Sequence, residues 1–466
     1  MSAIRPVKED YRGRRVLVVG LGLSGIAACE LLRSRGAVVT ATDRRTREEL
    51  EPKALALEAS GVMLHLGSHP TSLVFGVDLV VPSPGVRIDL PILSEARKRG
   101  IPVWGELELG FREIRGTVAA VTGTKGKSTT ASLLAAMLRA SGKDVRLAGN
   151  IGAPLVRELS GSSERTFFVV EVSSFQLETV ESFRPRVAVL LDVTPDHLDW
   201  HPDFQAYVSA KSRIFENQRE EDMAVVFGGN RLTVSMAEKA KSRKWYFGLD
   251  CLPGLSELSP HLHLDGPWIV KHEDGVTTPL ASLEEFQLVG RHNRLNAMAA
   301  SAAAALLGIS GDEIGDALLH FQGLPHALEQ VAVVDGVRFY NDSKATNVAA
   351  VRAALESFDG GILLILGGRF KGGDFRDLRD LVTRKVKCVF AIGESRERVR
   401  EALEGTAPVE FASDLEMAVE RAHQRASPGD VVLLSPAGSS FDMYRDYRER
   451  GERFRAAVER LAAERE

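Results

Sequence analysis

Short, wholly apolar runs recur along this chain with amphipathic stretches between them, and that alternation restricts the fold more than any composition figure. The runs lie at residues 16–19, 79–81, 118–121, 167–170, 187–191, 224–227, 362–366, 389–392 and 431–434. A strand with one face in water alternates apolar and polar side chains, whereas an unbroken apolar run is buried on both faces, as parallel strands covered by helices are. The expected class is α/β with mainly parallel sheets. A length of 466 residues implies about three domains at roughly 150 residues each. The segment 112–117 and the GLPH turn at 323–326 are the natural breaks, which gives domains 1–115, 116–325 and 326–466.

The run 118–121 leads into GTKGKST, which comprises Gly123, Thr124, Lys125, Gly126, Lys127, Ser128 and Thr129, and then into a helix-like stretch, 127–140. Backbone N–H groups at such a helix start point at anionic oxygens, a lysine neutralises their charge, and Ser128 or Thr129 can ligate Mg²⁺. A nucleoside triphosphate is the expected ligand. Val121 stands where the common phosphate loop has its first glycine, so this is a shortened variant; a ligand-free glycine turn is the plain alternative.

Near the start, the run 16–19 enters GLGLSG (20–25), a helix at 26–34 and a strand at 38–41 that ends by Asp43. This is dinucleotide-fingerprint spacing, with Gly22, Leu23 and Ser24 at the turn and Asp43 where a ribose-binding acid stands. Arg44 and Arg45 beside the acid suit additional phosphate. NAD(P), another nucleotide diphosphate and a bare strand-helix turn all remain open. A second turn, Ser83-Pro84-Gly85, follows the run 79–81 and can line the same cleft.

Glu171 ends the run 167–170 beside the phosphate loop, which suits either a Mg²⁺-binding acid or a satisfied strand end. His197 and His201 are four apart and can share a helical face as a zinc pair, but Leu198 replaces the glutamate of zinc proteases. His197 also suits a Mg²⁺ partner or a loop cap. Lys211 falls on one helical side with Tyr207 and Phe215, where a lysine is ordinarily a solvated surface group. In the last domain NDSKATN (341–347) lies between a strand and a helix and is placed to meet an anion at the helix start. KGGDF (371–375) and SPAGSSFD (435–442) also follow strands, so three strand ends converge polar groups.

A net charge of -4 excludes bulk attraction to nucleic acid or anionic lipid. Cys29, Cys251 and Cys388 lack metal-type spacing, the charged start has no apolar core behind it, and the alanine-rich helix at 296–309 is too short for a bilayer. A cytoplasmic protein without membrane insertion is expected. The polar stretch 251–278 reads as short β structure or loop within the middle domain.

Taken in order, GTKGKST, EVSSFQLE, TPDHLDWH, YVSAKSRIF, GRHNRLNA, GLPHALE, NDSKATN and SPAGSSFD resemble the motifs of the Mur ligase family of bacterial cell-wall enzymes over nearly the whole chain. Within it, GLGLSG together with NDSKATN resembles the branch that adds D-glutamate to UDP-N-acetylmuramoyl-L-alanine. The resemblance implies a UDP-binding N-terminal domain, a central ATPase and a Rossmann-like C-terminal domain for the amino acid, with ATP and Mg²⁺ as cofactors, in a monomer. Its UDP-precursor site comprises Gly22, Leu23, Ser24, Asp43, Arg44, Ser83, Pro84, Gly85, Asn150 and Gln176. Lys127 and the loop hold ATP with Asn296 and Asp342; Ser128, Glu171, His197 and Lys211 serve the metal, Lys211 as a CO₂-derived carbamate. Lys344, Thr346, Lys371, Ser440 and Phe441 contact D-glutamate, and Lys127, His197, Lys211 and Lys344 form the catalytic set. The chain departs from the family pattern at Lys125, Trp200, Ala327 and Tyr447, which bears on affinity more than on activity. Reactants held on three domains must meet, so closure of the last domain is expected.

Overall fold

The computed structural model describes residues 9–249 and 260–465. Among them the strands form three sheets. The first holds β1 (Arg15–Val19), β2 (Val38–Asp43), β3 (Met63–Leu66) and β4 (Leu79–Pro82), all parallel, in the order β3-β2-β1-β4. The chain leaves β1 towards β2 and later returns to its other side as β4, so a crevice opens at the C-terminal ends of β1 and β4.

The second sheet holds β5 (Thr117–Thr122), β6 (Asp144–Gly149), β7 (Thr166–Glu171), β8 (Val187–Leu190), β9 (Met223–Phe227), β10 (Arg243–Phe247), β11 (His261–Asp265), β12 (Trp268–Glu273) and β13 (Val276–Ser282). Its order is β13-β12-β11-β10-β9-β8-β5-β7-β6. The last three strands in sequence form an antiparallel extension, the β structure expected of the polar stretch; residues 251–259, with Cys251, lie outside the described residues. The third sheet holds β14 (Glu329–Val334), β15 (Val337–Asn341), β16 (Ile362–Gly367), β17 (Val386–Ile392), β18 (Val409–Phe411) and β19 (Val431–Ala437), in the order β14-β15-β19-β16-β17-β18.

Every apolar run named from the sequence lies in a strand, except that Leu191 follows the end of β8. β3, β6 and β18 carried no such signal because each is a sheet edge with only part of its side chains buried. The chain divides into two compact units: residues up to Phe286 with Leu295–His320, and Gln287–Arg294 with Phe321 onward. The first unit contains both the first and second sheets.

Inside the first unit, the helix Glu106–Glu113 is anchored by a buried charge. The Glu108 carboxylate accepts the backbone N–H groups of Glu181 (2.9 Å), Ser182 (3.0 Å) and Phe183 (3.0 Å), and the Arg112 guanidinium donates to it at 2.7 Å. That donor set replaces the water a buried carboxylate loses. Phe111 packs edge-on against Phe183 with ring centres 5.3 Å apart. Both rings are buried, each contributing about 2–3 kcal/mol relative to exposure.

Candidate functional site

The helix Lys127–Ala140 starts directly behind β5, and its apolar positions Ala131, Leu134 and Leu138 recur at the spacing that turns one face inward. No side chain caps its first turn; the N-cap is Gly126 in the left-handed region at φ 83°. Gly126 has no room for a Cβ, which would fall 2.3 Å from Asn296 Oδ1. The turn before this helix is therefore a backbone surface, with N–H groups left open to an anion. Lys127 Nζ curls over it and donates to the carbonyls of Thr124 (2.8 Å) and Gly123 (3.2 Å). Thr124 is fixed from beneath: its hydroxyl donates to Thr194 O and contacts the Tyr207 hydroxyl, both at 3.0 Å. Asn296 is buried against the loop, with Thr130 Oγ1 at 3.3 Å.

One carboxylate meets this loop. Glu171, at the end of β7, accepts Ser128 Oγ–H on one oxygen and Asn150 Nδ2–H on the other, each at 2.7 Å. Lys211 lies on the helix Phe204–Ser212 and is 2% exposed, so it is not the solvated group that helical spacing alone suggests. Its Nζ donates to the Gly123 carbonyl at 2.8 Å, the same oxygen Lys127 reaches. Burial first, and the nearby Lys127 ammonium second, push its pKa down to about 7, against the pull of Asp196 and Glu171.

The histidine pair that helical spacing would allow does not form. Residues 191–203 make no helix; His197 stands at φ 53° on an exposed turn against the Phe175 ring, while His201 is buried with its Nε2 3.0 Å from Ser174 Oγ. His197 makes no hydrogen bond to Ser128, Glu171 or Lys211, and among the described residues no three His, Cys, Asp or Glu side chains gather as a metal cage. Trp200, one of the departures, joins the same aromatic group: its ring lies 4.6 Å from that of Phe175, and its Nε1 donates to Glu178 at 3.1 Å.

A cavity of about 470 Å³ occupies the crevice between β1 and β4. Gly22, Leu23, Ser24, Asp43, Arg44, Ser83, Pro84, Gly85, Asn150 and Gln176 all line it, together with Arg45, and with His69, Gly149, Gly152 and Pro154, which the sequence argument did not name. Gly25 explains the glycine spacing, because a Cβ there would fall 1.9 Å from Gly20 O. Asp43 is not a free ribose acceptor: its oxygens take Leu21 N–H (2.6 Å), Arg45 N–H (2.9 Å) and a two-pronged Arg45 guanidinium. Burial raises its pKa, but these donors outweigh burial and hold the carboxyl well below the usual range. Gln176 Oε1 closes a cap on Ser173 N at 3.0 Å.

In the second unit, the ends of β15, β16 and β19 converge as expected. Ala437 N–H donates to Ala345 O (2.9 Å), and Arg369 and Ser439 exchange backbone bonds of 2.8 and 2.9 Å. Buried Arg450, which the spacing argument missed, ties two of these turns by donating to Ser343 O (2.9 Å) and Gly438 O (3.0 Å). Lys344 is exposed, Thr346 half-buried and Ser440 buried, and Lys371 Nζ lies 5.5 Å from the centre of the exposed Phe441 ring. Asn347 caps the helix Val348–Glu356 through Ala350 N–H (2.8 Å), which takes one N–H of its first turn. Asp342 is likewise turned inward, accepting from Ser435 Oγ (2.8 Å) and Leu328 N (3.2 Å); burial raises its pKa to about 7 against those bonds and Lys344.

Family models match the chain in three places: a MurD-like Mur ligase N-terminal domain at 14–105, a Mur ligase middle domain at 121–304 and a Mur ligase glutamate ligase domain at 328–438. The UDP-N-acetylmuramoylalanine--D-glutamate ligase of Acidobacterium capsulatum is 44% identical over 96% of this chain and 97% of its own. That of Koribacter versatilis is 41% identical over 97% and 99%. The chain belongs to the Mur ligase family. Solved Mur ligases share its fold: MurF of Acinetobacter baumannii at a TM-score of 0.60 and 17% identity, covering 96% of this chain and 93% of that one, and MurC of Thermotoga maritima at 0.57 and 20%, covering 97% and 99%.

In this Mur ligase the phosphate loop, Glu171 and Lys211 form one connected cluster, and the cavity residues form a second. Asn150 belongs to both. No helix among the described residues is long and apolar enough to cross a membrane, and Cys29 and Cys388 are buried free thiols.

Proposed function

We propose that this Mur ligase joins D-glutamate to UDP-N-acetylmuramoyl-L-alanine at the expense of ATP, as a cytoplasmic monomer divided at 115/116 and 325/326. The observation that carries the reading is Asn150: it lines the cavity and donates to Glu171 at the phosphate loop, so a nucleotide-bearing substrate and a triphosphate are held next to one another. The near full-length relatives bearing that ligase name support the choice of substrates.

A carboxylate resists amines because its oxygen is a poor leaving group, so amide formation in water needs activation. The γ-phosphoryl group passes from ATP to the alanyl carboxylate, giving ADP and an acyl phosphate; the D-glutamate amine then adds to that carbonyl, and the tetrahedral intermediate expels phosphate. Lys127, now donating to loop carbonyls, exchanges them for phosphate oxygens and offsets their charge as it shifts. Open N–H groups at the helix start position the tail. Ser128 and Glu171 supply hard oxygen donors side by side, a set that fits Mg²⁺, which keeps several waters and takes phosphate oxygens. Ser128 and Glu171 would hold that ion, whose charge would offset that of the phosphates. Lys211, pushed down to about 7, offers a neutral amine that can add CO₂ with loss of a proton; the resulting carbamate is an anionic oxygen ligand beside Glu171. Lys344, Thr346, Lys371, Ser440 and Phe441 hold D-glutamate, with the Lys371 ammonium available for a carboxylate.

Phosphate release with UDP-N-acetylmuramoyl-L-alanine, ATP and Mg²⁺ tests this directly. Release is expected with D-glutamate and not with L-glutamate; release from either alike, or none, overturns it. Sedimentation equilibrium checks the monomer.

A further inference from the structure

The helix Glu106–Glu113 packs against the short helix Leu155–Leu159, and a carboxyl is shut into the seam between them. Glu106 is 1% exposed. Its Oε1 accepts the Val156 N–H at 2.8 Å, while Oε2 is buried and meets no hydrogen-bonding group among the described residues. The packing is close: a Cβ on Gly110, one turn further along, would fall 2.9 Å from Leu155 Cγ. The segment that carries Val156 runs on from Gly152 and Pro154 in the cavity wall. We propose that Glu106 holds a proton while this seam is closed and that losing the proton loosens the seam, and the cavity wall at Pro154 with it, as pH rises.

Glu108, two residues on, shows what a buried carboxylate needs: backbone N–H groups on both oxygens and the Arg112 guanidinium. Glu106 has no such set. An ionised carboxyl with one oxygen unpaired in an apolar seam loses its hydration without replacement, a cost the neutral acid largely avoids. The helix start favours an anion, but by no more than roughly five-fold, which does not offset that loss. Charge from neighbouring elements does not rescue it either. On its own helix stand Glu108, Arg112 and Glu113, and Arg112 is engaged by Glu108 and Glu9. The helix Leu155–Leu159 brings Arg157, which faces Glu30, and Glu158. The helix Leu23–Ser34 brings Glu30 and Arg33, whose guanidinium donates to the Ser60 and Ala37 carbonyls. β4 and the helix Ser174–Leu177 bring no charge.

Burial accordingly pushes the Glu106 carboxyl up to about 7, against the N–H groups of Val156 and Leu155. In the unfolded chain it titrates near 4.5. Between those values the folded state binds more protons, so this contribution to stability is complete below 4.5 and is lost as pH rises through 7. Above 7 both states are ionised and the slope vanishes.

Urea denaturation of the full chain at pH 5 and pH 8 tests this beside Glu106→Gln, which keeps the shape and an acceptor for the Val156 N–H but cannot ionise. The unfolding equilibrium constant of wild-type protein, divided by that of the variant, is expected to rise by about ten-fold or more between the two pH values. Amide hydrogen exchange at residues 155–159, corrected for its intrinsic pH dependence, is expected to quicken over the same range in wild-type protein and not in the variant. A ratio independent of pH, or the same exchange profile in both proteins, overturns the proposal. Should the variant not fold, corrected exchange at 155–159 that does not change with pH in wild-type protein overturns it equally. The cavity wall is read by UDP titration, which rests on the function proposed above: affinity of wild-type protein relative to the variant is expected to fall from pH 5 to pH 8, and an unchanged ratio overturns the link to Pro154. Failure of wild-type protein to bind UDP at either pH removes that functional reading, while denaturation and exchange still decide the seam.

Discussion

Lys127 and Lys211 donate to the same carbonyl, that of Gly123, from opposite ends of the sequence argument: one stands in a recognisable loop and the other on an unremarkable helix. Lys127→Ala is expected to lower turnover at least about 10²–10³-fold, the scale for losing one charge-stabilising group, in the phosphate-release assay. Lys211→Ala is expected to be impaired and partly restored by acetate or another short carboxylic acid that occupies the vacated space; full activity without added acid counts against a carbamate. Lys211 also carries a pH signature in CO₂-free buffer. Its proton leaves the folded chain near 7 but an unfolded lysine only near the ordinary 10.5, so between those values the unfolded state binds more protons and stability rises with pH. Below 7 both states are charged and the slope vanishes. Urea denaturation at pH 7 and pH 9 is expected to show this rise in wild-type protein and a smaller one in Lys211→Met.

At the scale of elements, two glycine-led helix starts separate structural need from ligand space. Gly126 sits at φ 83° with Asn296 Oδ1 2.3 Å from any added Cβ, so Gly126→Ala is expected to cost about 1–3 kcal/mol in urea denaturation and to weaken ATP binding. Gly22, at φ -70° with nothing within 4 Å, tolerates a methyl group: Gly22→Ala is expected to stay within about 1 kcal/mol of wild-type stability yet to weaken UDP binding in calorimetry, because the methyl enters the cavity. Strand-turn-helix units of this kind were legible because their chemistry is local: the glycines, the lysine and the apolar run are contiguous. His197 and His201 were not legible, since a left-handed residue at His197 breaks the helical spacing that would pair them. Asn347 shows the same limit, its side chain taking up one N–H of a helix start, a bond that composition alone does not reveal.

Across the whole molecule, Glu108 fastens the helix Glu106–Glu113 to the connection ahead of β8. Glu108→Ala takes the acceptor from the N–H groups of Glu181, Ser182 and buried Phe183 and leaves Arg112 to Glu9 and Glu181, for an expected loss of about 3 kcal/mol, seen as a lower Tm. By itself the sequence determined the α/β class, the strand-borne turns and the phosphate loop, because apolar runs and glycine spacing act over a few residues and need no distant partner. Only tertiary structure decided that Ser128, Glu171 and Asn150 join in one chain of hydrogen bonds, that Asp43 is held by Arg45, and that Lys211 loses its water. Those outcomes depend on sheet order, which sets β5 between β7 and β8 and so brings residues far apart in the chain to one edge, where burial and neighbouring charge rewrite what each side chain can do.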